Sequence, residues 1–410
     1  MVRYAIVGAG QRGAGYAGWT ARHGDRAQVV AVAEPRAYQR ESLARRHGVE
    51  HVFTSWRELA AAPRLADAAI VSTQDAEHVE PAIALARKGY HLLVEKPLAP
   101  TADECARLVD AVTEAGVLFA VCHVMRYRPY TKLVKRLVDE GRLGEVMSVD
   151  HLEPVGHWHY AHSYVRGNWR RSDQASFMLL AKSGHDIDWL RHVVGKPVRR
   201  VSSFGSLRHF RRSEQPAGAE DRCLDCAVEP TCPYSARRIY LGMLREGRTG
   251  WPLNVLTDEV TEEGVTKALR EGPYGRCVYA CDNDVVDHQV VAMEFGDGVT
   301  GTFTMTGFTP HMDRRTRIFG TRGYLEGDGA TVRVHDFTSG TTETLTSESE
   351  GLDTEEGHGG GDAGLMDAFT RAVETDDASH ILSGPGESLE SHRAVFAAER
   401  ARLSGTVEDV

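Results

Sequence analysis

The stretch YAIVGAGQRG (4–13) constrains this chain more than any other. An apolar run gives way to GxGxxG, and an amphipathic pattern follows at once. Glycines at these three places allow a tight turn, close approach of a ligand to the backbone, and close strand–helix packing. The unpaired N–H groups at the helix start then favour an anion on the loop. Glu34 closes the next apolar run, VVAVA (29–33), where an acid that binds a ribose hydroxyl belongs. Gly8, Gly10, Gln11, Arg12, Gly13 and Glu34 are therefore candidate dinucleotide contacts. The Glu34 charge favours NAD because it repels a 2′-phosphate; Arg36 nearby keeps NADP open.

Further apolar runs follow at AAIVS (68–72), HLLVE (91–95) and LFAVC (118–122). Amphipathic stretches such as EPAIALARKG (80–89) and ADECARLVDAVTEAG (102–116) separate them. Strands buried on both faces read as continuous apolar runs, and alternation with helices predicts a doubly wound parallel sheet, a Rossmann domain, over 1–123. From about 145 the pattern alternates instead: EVMSVDHLEPV, DHQVVAMEF (287–295), GTFTMTGF (301–308), TVRVHDF (331–337). That predicts an α+β domain over 124–410 with a large, open, mostly antiparallel sheet. Residues 206–282 read as an insertion rich in Arg, Gly and Cys, and 347–362 as a polar, Gly-rich loop. Helical patterns return at 363–375 and 387–403. An open sheet face usually needs cover, so a homodimer or homotetramer through that face is expected.

A net charge of −10, from 48 basic and 58 acidic residues, argues against nucleic acid as the main partner. The arginines of RHFRR (208–212) read as a solvated face. No apolar run approaches membrane-spanning length, and the chain enters a strand pattern at once, leaving no room for a signal peptide. The expected setting is the cytoplasm. Of seven cysteines, Cys105 and Cys122 sit in apolar patterns and read as core. In a reducing compartment CLDCAVEPTC (223–232) and CVYAC (277–281) suggest metal rather than disulfides. Cys223, Cys226 and Cys232, with Cys281 or Cys277 as a fourth thiolate, would form a structural zinc site stapling an insertion that lacks its own core.

Two further stretches carry chemistry. GHWHYAHSYVRGNWRR (156–171) crowds rings, donors and acceptors in a way that suits a polyhydroxylated sugar. His157, Tyr160, His162, Tyr164, Arg166 and Trp169 are candidate substrate contacts, or rings that pack the loop. Arg126 is counted with them. Asp284, His288 and His358 are weaker candidates for the same pocket. LLAKSGHDIDWL (179–190) places Lys182, His185, Asp186 and Asp188 in an apolar helical frame, where charged groups need partners. Lys182 and Asp186 are spaced to pair along a helix, and Asp188 to orient His185 or cap a neighbouring element.

The nucleotide loop, the strand ending Glu95-Lys96-Pro97 after STQDAEHVEPAIALARKG, the HDIDWLRHVVG helix and the later sheet together resemble the Gfo/Idh/MocA oxidoreductases, the family of glucose–fructose oxidoreductase and inositol dehydrogenase. The resemblance covers most of the chain and is weakest across 206–282. It implies that Thr73, His78, Glu95 and Lys96 border the cofactor. It further implies that Lys96 contacts the reacting hydroxyl, that a cis proline follows it, and that His185 accepts the proton. The family's DxxxH motif is broken here: Ala181 stands where its aspartate is expected. Lys182, as positioner or electrostatic aid, and Asp186 are then candidates beside the substrate, although Asp186 cannot simply inherit the missing role. A cation beside the oxygen stabilises charge as the proton leaves. The implied activity is NAD-dependent oxidation of a sugar or cyclitol. Redox-neutral glycoside cleavage by transient oxidation and elimination, and a non-catalytic NAD- and sugar-binding regulator, are the alternatives.

Overall fold

The computed structural model describes residues 1–347 and 359–410. Six parallel strands form the first sheet: β1 (Val2–Val7), β2 (Ala27–Ala33), β3 (His51–Phe53), β4 (Ala68–Val71), β5 (His91–Val94) and β6 (Phe119–Val121). Their order is β3-β2-β1-β4-β5-β6. Five are the apolar runs of the sequence. The sixth, β3, is a short edge strand with His51 and Val52 exposed, so it carries no apolar run to read. The strand order reverses between β1 and β4, and ligands bind at the carboxyl ends of strands beside such a reversal.

The second sheet has nine strands: β7 (Val146–Pro154), β8 (Val198–Ser206), β9 (His288–Phe295), β10 (Thr300–Thr306), β11 (Arg315–Gly320), β12 (Gly323–Gly327), β13 (Thr331–Asp336), β14 (Thr342–Thr346) and β15 (Glu408–Asp409). The order is β14-β13-β12-β11-β7-β10-β9-β8-β15. Only the β7–β10 pairing is parallel. Alternate residues point into a core covered by the helices Gly184–Val194 and Pro385–Ser404. Most of the loop read at 347–362, with His358, lies outside the described residues.

The two halves share packing. The helix Gly361–Thr375 returns to the first sheet, where Leu365, Met366 and Phe369 are fully buried beside Tyr4 and Tyr16. Each such side chain stabilises the contact by about 2 kcal/mol. Tyr4 and Thr370 hydroxyls meet at 2.8 Å, and Arg26 pairs with Asp367 and Glu374.

One expectation changes here. The insertion does have a core: Tyr240, Leu241, Leu253, Val265 and Leu269 pack together with Cys223. Val265 and Leu269 lie on the helix Glu262–Glu271, while the other apolar residues fall on shorter helical turns whose periods are too brief to register in sequence. Within RHFRR, Phe210 is buried and stacks on Tyr160 and Phe308, so only the arginines face water.

Candidate active site

The nucleotide end is built by glycines with distinct roles. Gly8 has φ +94°, and a Cβ there would lie 2.5 Å from Ser72 O at the end of β4. A Cβ on Gly13 would lie 2.1 Å from Gly8 O. Gly10 differs: a Cβ there would meet only Arg36 Nη2, at 3.6 Å. The chain's own packing leaves that space open, and a side chain would fill the cradle a pyrophosphate needs. Gly10 begins the helix Gln11–Arg22 with no side-chain cap, so the first N–H groups are available to an anion. Glu34 is buried; its Oε2 accepts from Ala9 N–H at 2.8 Å and its Oε1 from Arg36 Nε at 2.8 Å. Burial opposes ionisation of Glu34, but Arg36 and the Ala9 amide hold its pKa below the usual value. Arg36 is thereby paired with Glu34, and the donor set fits NAD.

Thr73 and His78 shape the rim. The Thr73 hydroxyl donates to Glu77 O at 2.9 Å, and the buried His78 ring bridges Pro97 O (2.7 Å) and Thr73 O (3.2 Å). Arg12 does not face outward from its loop: Nε donates to Glu95 Oε1 at 2.5 Å, and Nη2 pairs with Asp362 at 2.8 Å. Glu95 also accepts from the Tyr16 hydroxyl at 2.6 Å and from Lys96 N–H at 3.1 Å. Burial would raise the Glu95 pKa, yet Arg12 and Tyr16 hold it below the ordinary value. Glu95 is an ionised strut under Lys96.

The Lys96–Pro97 bond is cis. Lys96 Nζ donates to Ala181 O at 2.5 Å. Ala181 ends the helix Met178–Ala181, and His185 lies in the first turn of the next helix, Gly184–Val194. The ammonium therefore sits at the break between the two helices, within one turn of His185. His185 is 8% exposed, its ring edge-on to His123 at 6.3 Å. Burial lowers the Lys96 pKa; Asp75 and Glu95 oppose this, and the cations of Lys182 and Arg12 add to it.

The helix break also redirects the charges of 179–190. Lys182 pairs with Glu153 on β7 at 3.1 Å, not with Asp186. Asp186 is fully buried against Arg314 Nε (2.5 Å) and His151 Nε2 (3.2 Å), so it braces the sheet rather than reaching substrate. Burial opposes its ionisation, and Arg314 holds it well below the usual carboxylate range. Asp188 does not orient His185. It accepts from Arg126 at 2.7 and 2.8 Å and from the Ser391 hydroxyl at 2.7 Å. Arg126, 1% exposed, is thereby a structural clamp and not a substrate contact.

Glu153 also meets Arg314 Nη2 at 2.8 Å. Asp75, Glu153 and Arg314 border the candidate site without belonging to any motif of the sequence. One signal was present: in β7 Val149, His151 and Glu153 are buried in alternation, with Pro154 buried at the strand end, so a carboxylate falls on the inward register. Asp75 and Arg314 stand in polar segments and give no such signal.

The 156–171 loop divides. Tyr164 is buried, and its hydroxyl pKa is raised first by burial and then by the nearby carboxylates of Glu153 and Asp75, which places it on the Lys182 side. Trp169 is half-exposed and leans on Tyr164 at 6.3 Å. The rest hold structure. Tyr160 donates to Val286 O at 2.7 Å and stacks on Phe210. His162 meets the Tyr240 hydroxyl at 2.9 Å and stacks on Tyr274. His157 sits 3.4 Å from Thr309 O. Arg166, 1% exposed, donates to Arg276 O at 2.7 Å, Tyr234 O at 2.8 Å and Cys223 Sγ at 3.5 Å. Asp284 receives Ser172 N–H at 2.7 Å, and His288 lies 2.7 Å from Asp287.

The zinc expectation is not met. Cys223, Cys226, Cys232 and Cys277 line one small cavity, and Cys281 turns aside to donate to Cys277 O at 3.3 Å. Among the described residues no group of three or more His, Cys, Asp or Glu side chains is arranged to hold a metal ion. All seven cysteines are unpaired thiols, and the buried Arg166 guanidinium beside Cys223 is a cation where a second cation would be repelled.

A glycine cradle shaped for a dinucleotide at the switch point, a part-buried lysine just past β5 and a histidine on the facing helix form the candidate site. The family models agree: residues 2–123 match the "Oxidoreductase family, NAD-binding Rossmann fold" and residues 135–406 its "C-terminal alpha/beta domain". The chain belongs to the Gfo/Idh/MocA oxidoreductase family. It is 30% identical over 230 residues to 2,7-anhydro-N-acetylneuraminate hydratase of Escherichia coli, covering 56% of this chain and 59% of that protein. It is 27% identical over 340 residues to scyllo-inositol 2-dehydrogenase (NAD(+)) of Bacillus subtilis, covering 74% of this chain and 94% of the relative. The chain thus spans about three fifths of the hydratase. In fold it is similar to a levoglucosan dehydrogenase solved with NADH and levoglucosan, with TM-score 0.73, 19% identity, and 100% and 99% of the two chains covered. Among the described residues no helix is long and apolar enough to cross a membrane.

Proposed function

We propose that the protein is an NAD-dependent oxidoreductase acting on a secondary hydroxyl of a sugar, sugar derivative or cyclitol. The observation that carries this reading is the part-buried Lys96 ammonium, held by Ala181 O within one turn of His185. A substrate hydroxyl that replaces Ala181 O as the acceptor of Lys96 would lie beside the His185 ring. NAD, when bound on the Gly8–Gly13 loop, supplies the hydride acceptor. Lys96 stabilises the developing charge on the substrate oxygen, and His185 receives its proton. Glu95 and Asp75 hold Lys96 electrostatically. Lys182, Glu153, Arg314 and Tyr164 form the polar wall on which the remaining hydroxyls are held.

A second reading is redox-neutral cleavage of a glycoside by transient oxidation and elimination. Two observations favour it: Ala181 leaves the substrate side of Lys96 without the family's carboxylate, and the hydratase relative carries out a reaction named for no net oxidation.

The test is a screen of free sugars, cyclitols and aryl glycosides with NAD, following absorbance at 340 nm and aglycone release together. NADH formation from a free sugar or cyclitol supports the dehydrogenase reading. Aglycone release without net NADH replaces it with the second. Bound NAD with neither signal, across a broad panel, points to a regulator.

The quaternary reading is a homodimer or homotetramer through the open face of the nine-stranded sheet. It is supported by Phe204 and Val290, a cross-strand pair 70% and 40% exposed, and by Met147 on the same sheet at 53%.

A further inference from the structure

The insertion reaches the nucleotide loop as well as the substrate loop. Gln11 follows Gly10 in the glycine turn, and its Nε2 donates to Asn254 Oδ1 at 2.8 Å across 243 residues of sequence. Asn254 lies in the short helix Leu253–Leu256, and Leu253 is fully buried in the insertion's core, so the contact is anchored from behind. Three residues earlier, the Trp251 ring meets His159 and His162 edge-on at 5.0 and 5.4 Å and Trp158 at 5.5 Å. Four residues later, Asp258 is close enough to add to the raised pKa of Arg36, the partner of Glu34. One segment thus meets both the 156–171 loop and the turn read as the pyrophosphate cradle, and its acidic end lies toward Arg36.

We propose that Trp251–Asp258 is a strap across the nucleotide cleft, and that the Asn254–Gln11 hydrogen bond is the latch that retains bound NAD(H). The proposal rests on the dinucleotide reading of the Gly8–Gly13 loop. A dinucleotide lying from Gly10 to Glu34 passes beneath this segment, so its release requires the strap to lift. Lifting breaks the amide–amide bond and drags Trp251 from its ring neighbours, while Leu253 acts as the hinge anchor. Slow cofactor release suits a site that returns a hydride to the substrate that gave it, and limits turnover in one that must exchange NADH for NAD.

The test is stopped-flow release of NADH from the purified full chain, chased with excess NAD and read by nicotinamide fluorescence, for wild type, Asn254→Ala, Gln11→Ala and the double variant. Asn254 is exposed, so its truncation leaves the core untouched. Each single variant is expected to speed release about fivefold, the weight of one ordinary hydrogen bond, and the double no further than either. Trp251→Ala, which frees the other end, is expected to move the rate in the same direction. An unchanged release rate in Asn254→Ala overturns the strap. Failure of the wild type to bind NADH overturns the dinucleotide reading beneath it, a separate and distinguishable result.

Discussion

Lys96 shows how much of a site one residue's surroundings decide. A lysine at a strand end is ordinarily solvated and charged; this one is part-buried, with its nitrogen on a backbone carbonyl and two cations among its neighbours. Its Lys96→Met variant is expected to lose about 10³-fold in turnover while still binding NADH, measured with the substrate found by the screen. Removing one of the cations has a defined sign. Lys182→Gln lifts a positive charge from beside Lys96, so the Lys96 pKa rises and the pH–rate limb that it governs moves to higher pH. A limb that stays in place or moves down would separate Lys182 from the reacting centre. Lys96 and His185 stand out as candidates in the sequence because the stretches that carry them are contiguous. Glu153 shows only as a carboxylate on the inward register of β7, and Arg314 gives no signal, since each owes its partners to elements brought in from elsewhere.

At the scale of elements, the helix Gly184–Val194 is held by buried charges whose partners come from distant elements. Its Asp188 joins Arg126, which follows β6, to Ser391 on the helix Pro385–Ser404. All three are buried, so removing one charge leaves the other without a partner. Asp188→Asn is expected to cost about 3–5 kcal/mol in urea unfolding. Ser391→Ala is expected to cost about 1 kcal/mol in the same measurement. The periodicity of 184–194 announced the helix, but its partners lie 62 and 203 residues away, beyond any local pattern. The same distance explains why Lys182 and Asp186 looked like a pair. The spacing is helical, but the chain breaks at Lys182–Ser183, and the two side chains leave in different directions.

For the whole molecule, buried histidines make stability depend on pH. Burial lowers His123 and His162 to about 3 and His192 to about 4. In the unfolded chain each titrates near ~6.5. Below that value the unfolded state binds more protons than the folded one, so their contribution is full above about pH 6.5 and falls as pH drops toward 4. The urea midpoint is expected to fall across this window, and His192→Gln to reduce proton uptake on unfolding by about one. Association through the open sheet predicts a dimer or tetramer mass in light scattering, converted toward monomer by Phe204→Glu; a monomeric wild type would refute it. The sequence alone determined the parallel sheet, the glycine cradle and the alternating second sheet, and it offered Lys96 and His185 as candidates. Each of these follows from periodicity, backbone freedom or a contiguous motif, which act within about ten residues. Only the tertiary structure decided which buried charges meet, which rings of 156–171 face the site, that the cysteines surround a guanidinium, and that the insertion reaches the nucleotide turn. Those outcomes depend on where distant segments come to rest, and burial then forces each polar group to take whatever partner is there.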